Sequence, residues 1–207
     1  MVYDKLMDEI VIQAMAKWPN VPYCYGWLAL DARGAWRMRD ERAQANHLSG
    51  DRINNAALLG FINRNYTHDE QGRWYFQNGP QRVYVDIEAT PFIARADEQG
   101  GFSLHTDAPL GKIDRVWMNE DGLLILQSGD IVAQIDDRDM AQCLGLLRAG
   151  ATGELAASDD NLMAWLSASP EDETPLHFRD GDRLLPIQRI ERSNVAAQFN
   201  FTAHPRA

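Results

Sequence analysis

Residues 69–88 read DEQGRWYFQNGPQRVYVDIE. The stretch opens with an Asp-x-x-Gly tetrad, in which Asp begins a type I turn and Gly closes it at positive φ, and this pattern predicts a hairpin. Asn78-Gly79 is the strongest short-range signal for a second hairpin. After it, Val83, Val85 and Ile87 alternate with polar residues, as in a half-buried strand. The segment therefore predicts part of an antiparallel sheet.

The same tetrad occurs four times, and each copy is followed by apolar residues at the second and fourth positions after its Gly. The copies begin at Asp31, Asp69, Asp97 and Asn119. Their spacing is too irregular for a solenoid or a propeller. We interpret the recurrence as repeated turn chemistry, with an old duplication as a further interpretation. The chain is therefore built largely of turns that return the backbone to a sheet.

The composition is that of a globular protein, with 207 residues of which 45% are hydrophobic. Residues 1–18 mix charged with apolar side chains, which predicts a helix and not a signal peptide. No run approaches the roughly 20 apolar residues of a membrane span. Cys24 and Cys143 are the only cysteines. The lack of both an export signal and a cysteine framework favours a reduced, cytoplasmic protein. The missing span and the acidic charge argue against a membrane partner.

Charge argues against nucleic acid as a partner. The formal net charge is −10, and residues 66–150 carry 7 basic and 14 acidic side chains, whereas phosphate binding requires concentrated positive charge. A group of arginines near Trp27 and Trp36 is the local exception. We interpret it as a solvated hairpin whose charge Asp40 and Glu41 partly offset. The arginines are Arg33, Arg37, Arg39 and Arg42.

Residues 1–65 are predicted to form a helix, a hairpin and a second helix. Apolar residues spaced by three or four up to Trp18 mark one face of the first helix, which Pro19 ends. Ser49 is a favourable N-cap for the second helix, over Asp51–Asn65. The aromatic segment Trp18–Trp27 is interpreted as core, with a peptide-docking or dimer surface as the alternative.

Residues 66–150 are predicted to form seven strands and one helix. The last strand is Ile131–Ile135, and Asp137–Ala149 has the acidic start, apolar stripe and final Gly150 typical of a helix. Seven strands closed by an amphipathic helix is the element order of a pleckstrin-homology-like roll. We therefore predict an α+β protein that is antiparallel and β-rich, with such a roll in residues 66–150.

Residues 151–207 are predicted to form a separate C-terminal segment. It begins with a small, acidic stretch typical of a linker and continues with a short helix capped by Ser158. A hairpin around Asp180-Gly181 follows, and the apolar tail Val195–Phe201 is expected to dock. The predicted domains are thus 1–65, 66–150 and 151–207.

Two segments resemble a family of uncharacterised proteobacterial proteins. They are GRWYFQNGPQRVYV at residues 72–85, continuing to Thr90-Pro91-Phe92, and IVAQIDDRD at residues 131–139. Residues 72–94 also resemble, more loosely, a second bacterial family of unknown function. That family has repeated β motifs, a pleckstrin-homology-like domain and a proposed link to signalling. The resemblance implies the roll, and it implies no catalytic residue.

No motif of the sequence predicts a metal, a cofactor or a catalytic residue. The five histidines lack metal-ligand spacing, and the Asp-x-x-Gly turns lack the alternating oxygen ligands and distant Glu of a calcium loop. We interpret the acidic residues Asp136, Asp137 and Asp139 as charges that favour a helix N-terminus. A serine elbow, a dinucleotide fingerprint and a phosphate loop are all missing. The sequence leans against an enzyme but leaves the question open.

The leading functional hypothesis is a non-catalytic binding or adaptor module with a protein or peptide partner, in signal transduction. Rolls of this kind take a peptide as an added strand beside the closing helix. Fold analogy places that binding groove at five residues, namely Arg115, Trp117, Met140, Cys143 and Leu147. The alternative is a small-molecule binding protein or enzyme with a pocket between the middle domain and the flanking segments. The oligomeric state is left open.

Overall fold

The computed structural model describes residues 7–97, 99–168 and 175–207. The helices are α1 (Glu9–Lys17), α2 (Glu41–Ala45), α3 (Ala56–Arg64), α4 (Met140–Cys143), α5 (Asp159–Ser167) and α6 (Val195–Gln198), and 3₁₀ turns cover Asp137–Asp139, Leu144–Leu146 and Arg192–Asn194. The strands of the first half are β1 (Cys24–Leu30), β2 (Trp36–Met38), β3 (Asp51–Arg52), β4 (Tyr66–His68), β5 (Trp74–Asn78), β6 (Gln81–Ile87), β7 (Phe92–Ala96) and β8 (Phe102–Leu104). The remaining strands are β9 (Arg115–Met118), β10 (Leu124–Ser128), β11 (Ile131–Ile135), β12 (Leu147–Ala149), β13 (Leu155–Ala156), β14 (Leu176–Asp180) and β15 (Arg183–Arg189).

The chain divides into two compact units. The first unit comprises Met1–Pro91 together with Ala196–Ala207, and the second comprises Phe92–Val195. The first contains a six-stranded sheet in the order β3-β2-β1-β6-β5-β4. The second contains a nine-stranded sheet in the order β13-β12-β14-β15-β9-β10-β11-β7-β8. The predicted β-rich α+β class is confirmed.

The seven strands predicted for residues 66–150 do not form one roll. Strands β4 to β6 belong to the first sheet, whereas β7 to β11 belong to the second. The division between the units follows Pro91, not residues 65 and 150. The physical reason is non-local pairing, because β6 joins β1 and β11 joins β7, both in parallel. Period-2 patterns mark strands but carry no information about which distant strand each one pairs with.

One turn geometry builds four of the hairpins. In each turn, a side-chain oxygen of the first residue accepts hydrogen bonds of 2.8–3.1 Å from the backbone N–H groups two and four residues later. The Gly N–H donates to the carbonyl of the first residue, and each Gly adopts a positive φ, which L side chains rarely adopt. The hairpins predicted at Asp31, Asp69, Asp97 and Asn119 are confirmed.

The two units repeat one arrangement of five strands. In the first, β1 forms a hairpin with β2 and pairs in parallel with β6, which continues antiparallel through β5 and β4. In the second, β7, β8, β11, β10 and β9 are joined in the same way. The register also matches, since the pair Tyr75–Tyr84 corresponds to Ile125–Gln134. By this match, Asp86 in β6 corresponds to Asp136. The shared register favours duplication as the origin of the repeated turns.

The predicted helix over Asp137–Ala149 is wrong for most of its length. Only Met140–Cys143 is α-helical; 3₁₀ turns flank it, and Leu147–Ala149 forms β12. Gly145 lowers the helix propensity of this segment, and Leu147 pairs with Phe178 across the sheet. Strand pairing with buried partners therefore outweighs a short helical pattern.

The second predicted helix begins later than expected. Asp51–Arg52 forms β3, and α3 starts at Ala56, where the side chain of Asn55 accepts a 2.9 Å hydrogen bond from the Leu58 N–H. Asn55, and not Ser49, is therefore the N-cap.

Other local predictions agree with the structure. Ser158 caps α5 with a reciprocal capping box, and β14 and β15 form the hairpin around Asp180-Gly181. Helix α1 covers Glu9–Lys17, while the predicted helix start at residues 1–6 lies outside the described residues.

The first sheet has an apolar and a polar face. Register places Leu28 beside Val85 and Leu30 beside Ile87, and all four side chains are buried. Because side chains alternate along a strand, Tyr84 and Asp86 lie on the opposite face. Asp86 and a group of tyrosines around Tyr84 therefore share the second face of this sheet.

Candidate binding cleft

A cleft of about 450 Å³ opens in the first unit, and we call it the Asp86 cleft. Its volume is within the range of small-molecule sites. It is bordered by the β1–β2 hairpin, the loop before β3, the end of β6 and the C-terminal tail. The lining residues are Ala29, Leu30, Asp31, Arg37, Arg39, His47, Leu48, Ser49, Asp86, Ile87, Glu88, His204 and Arg206.

Two guanidinium groups converge on one buried carboxylate in this cleft. The Asp86 side chain is only 5% exposed. Its Oδ2 lies 2.5 Å from Arg39 Nη1, and its Oδ1 lies 2.7 Å from Arg206 Nη1. His204 Nδ1 is 3.8 Å from Asp86 Oδ1. One negative charge thus faces two fixed positive charges, which leaves an excess of positive charge at this end of the cleft.

Arg39 is held in place by its backbone and by its side chain. Its N–H donates to the Trp27 carbonyl, and its Nε donates to the Leu48 carbonyl at 3.1 Å. The side chain is 13% exposed, yet Nη2 has no hydrogen-bond partner within the described chain. A planar guanidinium fixed in this way is a preorganised donor for a carboxylate or a phosphate.

The other charged residues of the cleft have different roles. Asp31 Oδ2 accepts from Arg37 Nε at 2.8 Å, so these two charges compensate each other within the turn. Glu88 extends the β6 ladder by donating its N–H to the Leu30 carbonyl. Its Oε2 accepts from the Ala32 N–H at 3.1 Å, while its Oε1 has no hydrogen-bond partner among the described residues. Glu88 therefore presents an uncompensated carboxylate oxygen.

The C-terminal tail completes the cleft. The Ile87 N–H donates to the Ala203 carbonyl at 2.7 Å, and the Thr202 N–H donates to the Gly72 carbonyl at 3.0 Å. Phe201 is buried, which agrees with the predicted docking of the tail. These contacts bring Arg206 to Asp86.

A tyrosine cluster lies beside Asp86 on the same sheet face. The Tyr84 ring stacks on Tyr25 with centroids 4.7 Å apart, and its hydroxyl donates to Asp69 Oδ2 at 3.0 Å. Burial raises the pKa of Tyr84. Burial alone would also raise the pKa of Asp69, but hydrogen bonds from Arg73 and Tyr84 hold it below its usual range. Stacking and hydrogen bonding thus hold Tyr84 in place two residues before Asp86.

The five residues of the predicted peptide groove do not come together as an open groove. Cys143 and Leu147 lie in the hydrophobic core of the second unit, and Met140 packs against it. Val116 and Met118 of β9 belong to the same core, so alternation places Arg115 and Trp117 on the other face. Strands β10 and β15 flank β9 on both sides, which leaves no free edge there for an added peptide strand.

The acidic residues after β11 have structural partners. Asp136 Oδ1 accepts from the Arg138 N–H at 3.0 Å, and Asp139 Oδ2 accepts from Arg95 Nε at 2.9 Å. The hydrogen bond to Asp136 raises the pKa of Arg138. The interpretation of Asp136, Asp137 and Asp139 as carboxylates at the start of a helical segment is confirmed. In the described ranges, no group of three or more His, Cys, Asp or Glu residues is arranged to hold a metal ion.

Sequence reasoning missed the residues that define the cleft. The sequence pattern predicts Arg39 to be part of a solvated arginine group, whereas in the structure it is buried against Asp86, which is distant in sequence. The core interpretation of the aromatic segment is wrong for Trp18, Tyr23 and Trp27, which are 51%, 51% and 39% exposed.

Comparison with known proteins identifies a family. Among the described residues, no helix has the length and apolar character needed to cross a membrane. A search of the curated proteins finds no match. One solved structure, a DUF1285 family protein from Silicibacter pomeroyi DSS-3, is 16% identical over 82% of this chain and 84% of its own, with a TM-score of 0.46. Another, a DUF1285 family protein from Shewanella baltica OS155, is 10% identical over 56% of this chain and 88% of its own, with a TM-score of 0.39.

The family model of DUF2944, described as "Protein of unknown function (DUF2946)", matches residues 7–206. The resemblance to a family of unknown function, drawn from residues 72–92 and 131–139, is thereby confirmed at that level. The chain belongs to this family of unknown function.

Proposed function

We propose that this chain is a binding protein that holds a small ligand through an acidic group in the Asp86 cleft. The observation that carries the proposal is the pair of guanidinium groups on one buried carboxylate, at the wall of an open cleft of about 450 Å³. The proposal corresponds to the small-molecule alternative of the sequence analysis, but the cleft lies within the first unit and not beside a middle domain. Its lining comes from residues 29–49, 86–88 and 204–206.

An acidic group on the ligand follows from the charge at Asp86. Arg39 and Arg206 together carry one more charge than Asp86 neutralises, and Arg39 Nη2 remains available as a donor. A carboxylate or phosphate oxygen at this point would accept a charge-assisted hydrogen bond, which is stronger than a neutral one. Because Arg39 is already ordered, little side-chain entropy is lost on binding.

Isothermal titration with sodium butyrate and with inorganic phosphate tests the proposal and separates the two ligand chemistries. We expect saturable heat with at least one of them. Arg39→Gln and Arg206→Gln should each weaken binding by about tenfold, since each removes a charged hydrogen bond. Because Arg39→Gln could also reduce stability, the exposed Arg206 provides the second variant.

Arg95→Gln is the matched control, because Arg95 pairs with Asp136, the counterpart of Asp86 in the second unit. It should leave the titration unchanged. The proposal fails if neither probe gives saturable heat, or if Arg95→Gln weakens binding as much as the cleft variants do.

The second candidate is a docking module for an acidic peptide, and the exposure of the aromatic segment favours it. Lys17 Nζ lies 4.6 Å from the centroid of the half-exposed Trp18 ring, and the guanidinium of Arg82 lies 5.5 Å from that of Tyr23. Aromatic rings with basic neighbours suit a partner that carries carboxylates. Fluorescence anisotropy with a labelled glutamate-rich peptide tests this role. Binding that Trp18→Ala and Tyr23→Ala leave unchanged would contradict it.

A further inference from the structure

We infer that the ligand of the Asp86 cleft is a zwitterion, an amino acid whose carboxylate meets Arg39 and Arg206 and whose ammonium group meets Glu88. The inference rests on the proposed function and specifies its ligand class. The structural basis is that one cleft is lined both by the arginine pair at Asp86 and by Glu88, whose Oε1 has no hydrogen-bond partner among the described residues.

The formal charges of the carboxylates and arginines that line the cleft sum to zero. Arg37 and Asp31 compensate each other within their turn. Arg39 and Arg206 then face Asp86 and Glu88, so two positive charges are matched by two negative ones. A ligand with a net negative charge would be attracted by the arginines and repelled by Glu88. A ligand that carries both charges satisfies both the arginines and Glu88.

Backbone hydrogen bonding places Glu88 at the cleft. Glu88 lies directly after β6, where its N–H donates to the Leu30 carbonyl, and it lines the cleft together with Asp86, two residues earlier. One Glu88 oxygen is held by the Ala32 N–H, and the other is left to accept a hydrogen bond. A short-chain amino acid would span from this oxygen to the guanidinium groups at Asp86.

Three probes of similar size separate the two charges. Butyrate carries only the acid, butylamine carries only the amine, and 4-aminobutyrate carries both. Titration at pH 7 should show that 4-aminobutyrate binds about tenfold more tightly than butyrate, as expected for one added charged hydrogen bond. Butylamine should bind most weakly, because the arginines repel it.

Glu88→Gln identifies the group responsible. The amide keeps an acceptor for the Ala32 N–H but loses the charge, and it should lower the affinity for 4-aminobutyrate to that for butyrate. The affinity for butyrate should stay equal or increase. Glu120→Gln, which removes a carboxylate of the second unit, is the control and should change neither value.

The outcomes of the two proposals are distinguishable. If butyrate binds in a manner dependent on Arg206, but 4-aminobutyrate binds no better and Glu88→Gln has no effect, the zwitterion inference is wrong and the acidic-ligand proposal stands. If neither butyrate nor phosphate binds, both are wrong, because the zwitterion inference rests on an acidic group held by the arginines.

Discussion

Asp86 and Asp136 occupy the same position in two copies of one strand arrangement, and each is paired with two arginines. Asp86 meets Arg39 and Arg206, whereas Asp136 meets Arg138 and Arg95. In the second unit, Arg138 follows Asp136 by two residues, and Arg95 lies in the neighbouring strand β7. In the first, one comes from the tail, and an open cleft lies beside it. Comparison of the two copies thus shows that the tail arginine and the cleft beside Asp86 are features of the first unit.

Asp86→Asn should destabilise the protein strongly. It leaves the guanidinium of Arg39, which is 13% exposed, without its counter-charge, and removing one partner of a buried ion pair costs about 3 kcal/mol or more. Arg206→Gln should cost less than about 1 kcal/mol, because the Arg206 side chain is 59% exposed. Urea denaturation measures both losses in the free energy of unfolding. Equal losses for the two variants would show that Asp86 does not hold a buried charge.

Gly72→Ala should be much more harmful than Gly100→Ala. Both glycines close the same turn at positive φ, so each alanine incurs a backbone penalty of about 1–2 kcal/mol. At Gly72, however, the added Cβ would lie 2.2 Å from the Asn200 carbonyl oxygen, while at Gly100 no atom of the described residues lies within 4 Å. Denaturation curves should show the difference, and hydrogen exchange should show faster exchange of the Ile87 N–H only in Gly72→Ala. Similar behaviour of the two variants would rule out close packing of the tail on Gly72.

Asp69 should contribute stability that disappears in acid. Its pKa in the folded protein lies below the ordinary value of 3.8, because the bonds from Arg73 and Tyr84 outweigh the effect of burial. The ionised form therefore stabilises the folded state at neutral pH, and this contribution is lost as the pH falls through the folded pKa. Asp69→Asn keeps the turn, as Asn119 does in the fourth copy. Its stability deficit relative to wild type should be constant above about pH 5 and shrink below about pH 4.

Asp97→Asn is the control for the turn itself, because Gly101 stands where Arg73 stands in the Asp69 turn. Its deficit at neutral pH should be the smaller of the two. A deficit of Asp69→Asn that did not change with pH would contradict the role of the Arg73 ion pair.

Cys143 should be inert in the folded protein. Burial raises its pKa to about 11, so the reactive thiolate is rare at pH 8. Cys24 is only partly buried and should react first. In a Cys24→Ser variant, labelling by a disulfide reagent at pH 8 should proceed only as fast as the protein unfolds, and it should accelerate in denaturant. Rapid labelling without denaturant would show that Cys143 is accessible.

Local chemistry explains the part of the fold that the sequence predicts. The Asp-x-x-Gly turns depend on bonds within five consecutive residues, and the Ser158 capping box depends on four. These elements are therefore visible in the sequence. The parallel pairing of β1 with β6 is not visible, because Leu28 and Val85 are far apart in the chain. The predicted roll fails for this reason, although most of its individual strands are present.

The cleft lies beyond sequence reasoning for the same reason. Arg39, Asp86 and Arg206 come from three distant segments, and none has a local motif. The helix predicted over Asp137–Ala149 ends early in the structure. Gly145 disfavours a helix, and Leu147–Ala149 pairs with β14 as a strand. The groove inferred by fold analogy assumed the roll, whereas the structure places Cys143 and Leu147 in the core of the second unit.

The first unit is interrupted in sequence by the whole of the second. Residues 92–195 must be synthesised before Ala203 can accept the Ile87 N–H and before Arg206 can reach Asp86. Closing so long an intervening loop is entropically unfavourable and slow compared with forming the local hairpins. A nascent chain that ends before Ala196 therefore lacks one wall of the cleft, and the proposed ligand site is complete only after the tail has docked.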